Sequence, residues 1–164
     1  MTARRYCRPG SLRWILLGTA LLVSLDVAIA ALTITEKTTP SLGTLLSGAS
    51  GRNFKLNTDQ TVSGSDAADY LCCANSGELT VKKTGGSQSA TIVADNFSQT
   101  GGVTIVSVPC KYGSGSVGDC SGSGISVTVG GTVALMVGVE INTTQVHSGG
   151  NTATATYDIT INLL

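Results

Sequence analysis

The sequence has one histidine, His147, and it stands beside a Gly/Ser turn. Catalysis through an imidazole base therefore has a single candidate, in a setting that reads as solvated loop. The G-x-S-x-G elbow of serine hydrolases is absent, although serine is plentiful. Charge is scarce as well: Asp, Glu, Lys and Arg make up 12% of the chain, and beyond residue 30 they are few and scattered. That leaves no basic footprint for nucleic acid or for an anionic membrane surface. Aromatic residues are few, and beyond residue 30 they are Phe54, Tyr70, Phe97, Tyr112 and Tyr157. A sugar-binding module stacks its ligand on exposed rings, and only Tyr70 and Tyr112 are expected to be available. Sustained helical periodicity is missing after residue 30, and so is any repeat of fixed period.

The first thirty residues read as a secretory signal peptide. Arg4, Arg5, Arg8 and Arg13 form a basic start, Trp14 to Ala30 is mostly apolar, and Ala28-Ile29-Ala30 supplies a small-x-small cleavage box. A stretch of 17 residues containing Asp26 is short and polar for a bilayer span. No Cys follows it directly, so a lipoprotein anchor is not expected. Cleavage after Ala30 leaves 134 of the 164 residues as one domain, 31–164, large enough to bury a core unaided. It also removes four basic residues and one acidic residue, giving a formal net charge of −3. The expected destination is outside the cytoplasm: periplasm, cell surface or extracellular medium, with no membrane partner after cleavage.

Gly, Ser, Thr and Val dominate what remains. Thr and Val favour extended backbone, and Gly and Ser favour turns. Period-two alternation recurs, first in Leu32 and Ile34 against Thr33 and Thr35, and most clearly in Ala155, Tyr157, Ile159, Ile161 and Leu163 against polar neighbours. Gly85-Gly86 and Gly130-Gly131 are expected to end strands, and Gly138 to mark a bulge or a break. Asp66 to Tyr70 has room for one helical turn, and residues 111–124 read as loop. The spacing predicts an all-β, antiparallel β-sandwich of the Ig-like or pilin-like kind, with 8–9 short strands.

Once Cys7 leaves with the leader, Cys72, Cys73, Cys110 and Cys120 remain, an even number in an oxidising compartment. A bond between neighbours closes a strained eight-membered ring. The two other pairings both join Cys72 and Cys73 to Cys110 and Cys120, and those two are left open. Zinc ligands come as C-x2-4-C pairs, which this spacing does not match. Gly113 to Gly118 spells G-x-G-x-x-G, but Asp119-Cys120-Ser121-Gly122 is a poor helix start for holding a pyrophosphate. Asp66 and Asp69 read as a solvated acidic loop, with calcium as the functional alternative. Asn96-Phe97-Ser98 and Asn142-Thr143-Thr144 fit the N-glycosylation pattern. No catalytic residue, cofactor or metal is expected.

Two stretches resemble a bacterial family of exported domains. Leu32 to Gly48 includes Leu42-Gly43-Thr44-Leu45-Leu46-Ser47-Gly48, similar to a strand followed by L-x-F-G-T-hydrophobic-x-x-G. Leu135-Met136-Val137-Gly138-Val139-Glu140-Ile141, then Gly149-Gly150-Asn151 through Tyr157 to Ile161, is similar to L-x-V-G-x-x-L followed by G-x-Y-x-x-x-hydrophobic-x-V. These are motifs of domain of unknown function family 4402, and the close is shared with spore-coat-U-type secreted pilin domains. The resemblance implies a non-enzymatic, fimbrial-adhesin-like β-sandwich at the cell surface. Its implied partners are copies of itself or other pilin-type subunits, with a periplasmic chaperone in assembly. Strand donation between subunits would use Ala31 to Thr35, where Leu32 and Ile34 would fill the acceptor. The alternative function is a secreted ligand- or carbohydrate-binding β-sandwich module.

Overall fold

The computed structural model describes residues 31–45, 48, 50–146 and 152–164. The expected leader at 1–30, His147 and the expected turn at 148–151 lie outside the described residues. Among the described residues twelve strands follow in order: β1 (Leu32–Thr38), β2 (Thr44–Leu45), β3 (Asn53–Leu56), β4 (Val62–Ser63), β5 (Tyr70–Cys72), β6 (Gly77–Thr100), β7 (Val103–Ser107), β8 (Pro109–Tyr112), β9 (Gly118–Asp119), β10 (Ile125–Val137), β11 (Val139–Thr143) and β12 (Thr154–Leu163). A 3-10 turn over Ala67–Asp69 precedes β5, where one helical turn was expected. The fold is all-β and every ladder is antiparallel, as the alternation predicts.

The frame is a long ribbon of β6 and β10. Ile125 to Val129 pair with Ile92 to Gln88, and Gly131 to Val137 pair with Lys83 to Gly77. Thr84 to Ser87 bulge out opposite Gly130 alone. Gly85 and Gly86 hold φ of 80° and 90° there, and Gly131 holds 65°. L side chains resist that left-handed backbone, so glycine on both strands lets the ribbon fold across itself. Val81, before the bend, then shares one buried cluster with Ala90, Ile92 and Ala94, after it. Lys83 lies at the bend, 5% exposed. Its ammonium donates to the Gly86 carbonyl at 2.9 Å and the Thr84 carbonyl at 3.4 Å. Those bonds satisfy a charge that burial would otherwise strand.

A second corner joins this sheet to the sheet ordered β4-β3-β11-β7. At Val108 the chain passes from β7 into β8, and at Gly138 from β10 into β11, so two strands change sheet side by side. The Gly138 N–H donates to the Pro109 carbonyl at 2.7 Å. A side chain at Gly138 would run into the Leu56 carbonyl. The Tyr157 hydroxyl donates to the Gly138 carbonyl at 2.9 Å, pinning β12 to the corner. Two apolar cores result, one around Ile92, Val129 and Leu135, the other around Phe54, Leu56 and Ile141. Ile105 and Tyr157 pack against both and make them continuous.

The strand count departs from the expected 8–9 in both directions. The glycine pairs at 85–86 and 130–131 bend strands instead of ending them, so expected neighbours fuse into β6 and β10. The short β2, β4 and β9 add strands that alternation over a few residues cannot signal. Residues 111–124, expected as loop, hold the end of β8 and all of β9. Gly138, expected to mark a bulge or a break, is a break between two strands.

Candidate functional site

The least enclosed element is β1. Only Leu32 and Thr38 at its ends are half-buried, and the five residues between them are exposed. It pairs with β6 over Leu32↔Lys83 to Thr38↔Glu78. The last strand, β12, pairs with the other half of β6, from Thr154↔Thr100 to Leu163↔Ala90. With β10 along one side of β6 from Gly77 to Ile92, β1 and β12 occupy the other side one after the other, β1 over Glu78–Lys83 and β12 over Ala90–Thr100. Among the described residues neither has a second neighbour. Folding the ribbon brings these two edge strands face to face across an open cleft of about 370 Å³.

Leu79, Val137, Tyr157 and Ile159 give the cleft an apolar lining, and Glu36 and Asp158 add two carboxylates. Both carboxylates are engaged: Glu36 accepts the Thr39 hydroxyl at 2.7 Å, and Asp158 accepts the Asn96 side-chain amide at 2.9 Å. Burial pushes the Tyr157 phenol far above its ordinary value, so it serves as a proton-bearing donor and not as a base. Chemically the cleft offers apolar contact and backbone edges.

Leu32 of the proposed donor segment packs against the first core, while Ile34, opposite Val81, is 37% exposed. Both lie within a strand paired to its own domain. The cysteine pairing departs from both schemes left open by the sequence. The bonds are Cys72–Cys73 and Cys110–Cys120. Cys110 and Cys120 lie 5.9 Å apart between Cα atoms, across the β8–β9 hairpin, and both are fully buried in the first core. Cys72 and Cys73 are exposed on the separate β2–β5 ribbon, away from that hairpin's core. The eight-membered ring is accommodated because Cys73 adopts φ of 74°.

The remaining candidates hold loops together. Asp66 accepts the Ser65 hydroxyl at 2.6 Å and the Asn53 amide at 2.8 Å, which lowers its pKa. Asp69 pairs with Arg52. The Gly113 to Gly118 motif is the connection between β8 and β9, so a strand and not a helix follows it. Partial burial works to raise Asp119, and the Ser121 hydroxyl and amide with the Val108 amide outweigh it, leaving its pKa low. Asn96 is exposed in left-handed backbone, whereas the Asn142 side chain accepts from Asn53 at 2.9 Å. Tyr70 and Tyr112, expected to be exposed, are both half-buried. The Tyr70 hydroxyl accepts the Ala74 amide at 2.8 Å, and Tyr112 packs on the first core. Phe97, at 41%, is the exposed ring instead, tilted against Tyr157 at 6.4 Å.

Three features escaped sequence reasoning: buried Lys83, the cleft, and a polar patch centred on Glu140. There Glu140 accepts the Ser107 hydroxyl at 2.7 Å and the Asn53 amide at 3.0 Å, and Lys55 lies 3.4 Å away. The Ser107 bond leads in lowering its pKa, against some desolvation, with Asn53 and Lys55 assisting. Matched glycine pairs at 85–86 and 130–131 were the available signal for the folded ribbon and hence for the cleft. Comparison of this chain with protein-family models, with curated proteins and with solved structures found no match.

Proposed function

We propose that the protein is an exported, non-enzymatic structural protein of the cell surface, pilin- or fimbrial-adhesin-like, whose subunits associate through the β1 edge. The observation that carries this reading is β1 itself. It is an edge strand with five exposed central residues, held to the domain mainly by one ladder to β6. A strand of that kind gives up little apolar burial when it leaves, and its vacated partner can accept the same segment from another copy. Leu32 and Ile34 are the donor side chains in this reading, and removal of the leader after Ala30 brings Ala31 to the start of the donor. The partners are further copies or other pilin-type subunits, with a periplasmic chaperone guarding the edge before assembly.

A second reading, a secreted ligand- or carbohydrate-binding module, is favoured by the cleft with Tyr157, Glu36 and Asp158 in its lining. Deleting Ala31 to Thr35 from the exported protein separates the two. Size-exclusion chromatography and electron microscopy should show oligomers of the intact protein and their loss on deletion. Oligomers that persist unchanged rule out donation from this segment. A protein that is always monomeric, and whose cleft binds a glycan, belongs to the second class.

A further inference from the structure

We propose that the Cys72–Cys73 pair is a reversible thiol–disulfide exchange site, reduced by a small dithiol while Cys110–Cys120 stays oxidised. Access separates the two bonds. Cys110 and Cys120 are 0% exposed within the first core, so a reductant reaches them only after that core opens. Cys72 and Cys73 are both exposed at the end of the β2–β5 ribbon. The intact ring also holds Cys73 at φ of 74°, a left-handed backbone that a residue with a Cβ seldom adopts. Opening the ring frees Cys73 to return to extended backbone, which favours the reduced form.

The exchange balances with a dithiol as the only co-reactant. One thiolate of the reductant attacks a sulfur of the pair, forming a mixed disulfide and expelling the other cysteine as thiolate. The reductant's second thiolate then attacks the reductant's own sulfur in that mixed disulfide and expels the bound cysteine as its thiolate. The reductant leaves as a cyclic disulfide, and two electrons and two protons end on Cys72 and Cys73.

Reduction has a structural consequence because the ring closes one end of the second core. Ser41 and Asn75 exchange both backbone bonds, at 2.7 and 2.8 Å, and the Ala74 amide donates to the Tyr70 hydroxyl. Leu42, Leu45 and Ala74 pack on the second core beside them. A side chain at Gly43 would strike the Cys72 carbonyl, so the 41–45 segment lies directly on the ring backbone. Opening the ring therefore loosens segments 41–45 and 70–75 and leaves the folded β6–β10 ribbon intact.

The test is native-state reduction of the exported full-length protein with dithiothreitol, followed by alkylation, mass mapping and amide hydrogen exchange. Labelling at Cys72 and Cys73 should run at least about ten-fold faster than at Cys110 and Cys120, because it needs no global opening. Amide exchange in 70–75 should accelerate by a similar factor, while that in 77–83 and 131–137 stays unchanged. A Cys72→Ser/Cys73→Ser variant should show the fast exchange without reductant and no response to it. Equal labelling rates, a native map joining Cys72 or Cys73 to Cys110 or Cys120, or exchange in 70–75 that ignores reduction of the wild-type protein would each overturn the proposal. The wild-type measurements decide the matter if the double variant does not fold.

Discussion

Single side chains hold the two bends of this fold. Tyr157 alternates onto the inward face of its strand, which the sequence announces, but its hydroxyl partner is a carbonyl at a corner 19 residues away. Removing that hydroxyl in Tyr157→Phe leaves the Gly138 carbonyl without this donor and should cost about 1–2 kcal/mol by denaturant unfolding. The same residue gives an alkaline limit. The folded phenol keeps its proton above the value near ~10 at which the unfolded one ionises. Its stabilisation is complete below that pH and is lost as pH rises through it, so Tyr157→Phe should flatten the fall in stability above about pH 10. Glu140 behaves oppositely. Its lowered pKa contributes stability above the ordinary value near ~4.3, and that contribution is lost as pH falls through the folded-state value. Ser107→Ala removes the leading cause, so acid unfolding of that variant should begin at higher pH than in the wild type.

Strands show where periodicity suffices and where it fails. In β12, Tyr157, Ile159 and Ile161 lie on one face and pack against the first core, as their alternation predicts. Ile159→Asp puts a carboxylate among those apolar groups in place of a side chain whose burial is worth roughly 1.5–3 kcal/mol. The expected outcome is loss of soluble protein, and a wild-type melting temperature would make β12 peripheral. Periodicity fails in β6, because alternation says nothing about a strand that continues through Gly85-Gly86. The same dipeptide ends a strand when no partner follows it across the bulge. Here Gly130-Gly131 on β10 supplies the matching flexibility, and that match is a relation between strands that are far apart in the sequence. The burial of Lys83, two residues before the glycines, carries no sequence signal for the same reason. Only the folded ribbon turns carbonyls toward its ammonium.

At the scale of the whole molecule, the Cys110–Cys120 bond closes a short hairpin inside the core. Replacing both cysteines with serine should lower unfolding free energy by about 2–3 kcal/mol, the chain-entropy contribution of so short a loop. Calorimetry or denaturant titration checks this, and an unchanged midpoint would mean that the hairpin is held by its ladder alone. By itself the sequence determined the all-β class, the inward face of β12, an irregularity at Gly138 and the even set of cysteines beyond residue 30. These follow from backbone propensity, period-two burial and residue type, all of which act over a few neighbouring positions. Which cysteines pair, that glycine pairs bend strands instead of ending them, and that β1 and β12 face each other across a cleft were decided only by tertiary structure. Each depends on which distant segments lie side by side, and the ladders and cores that fix this join residues separated by tens of positions in the chain.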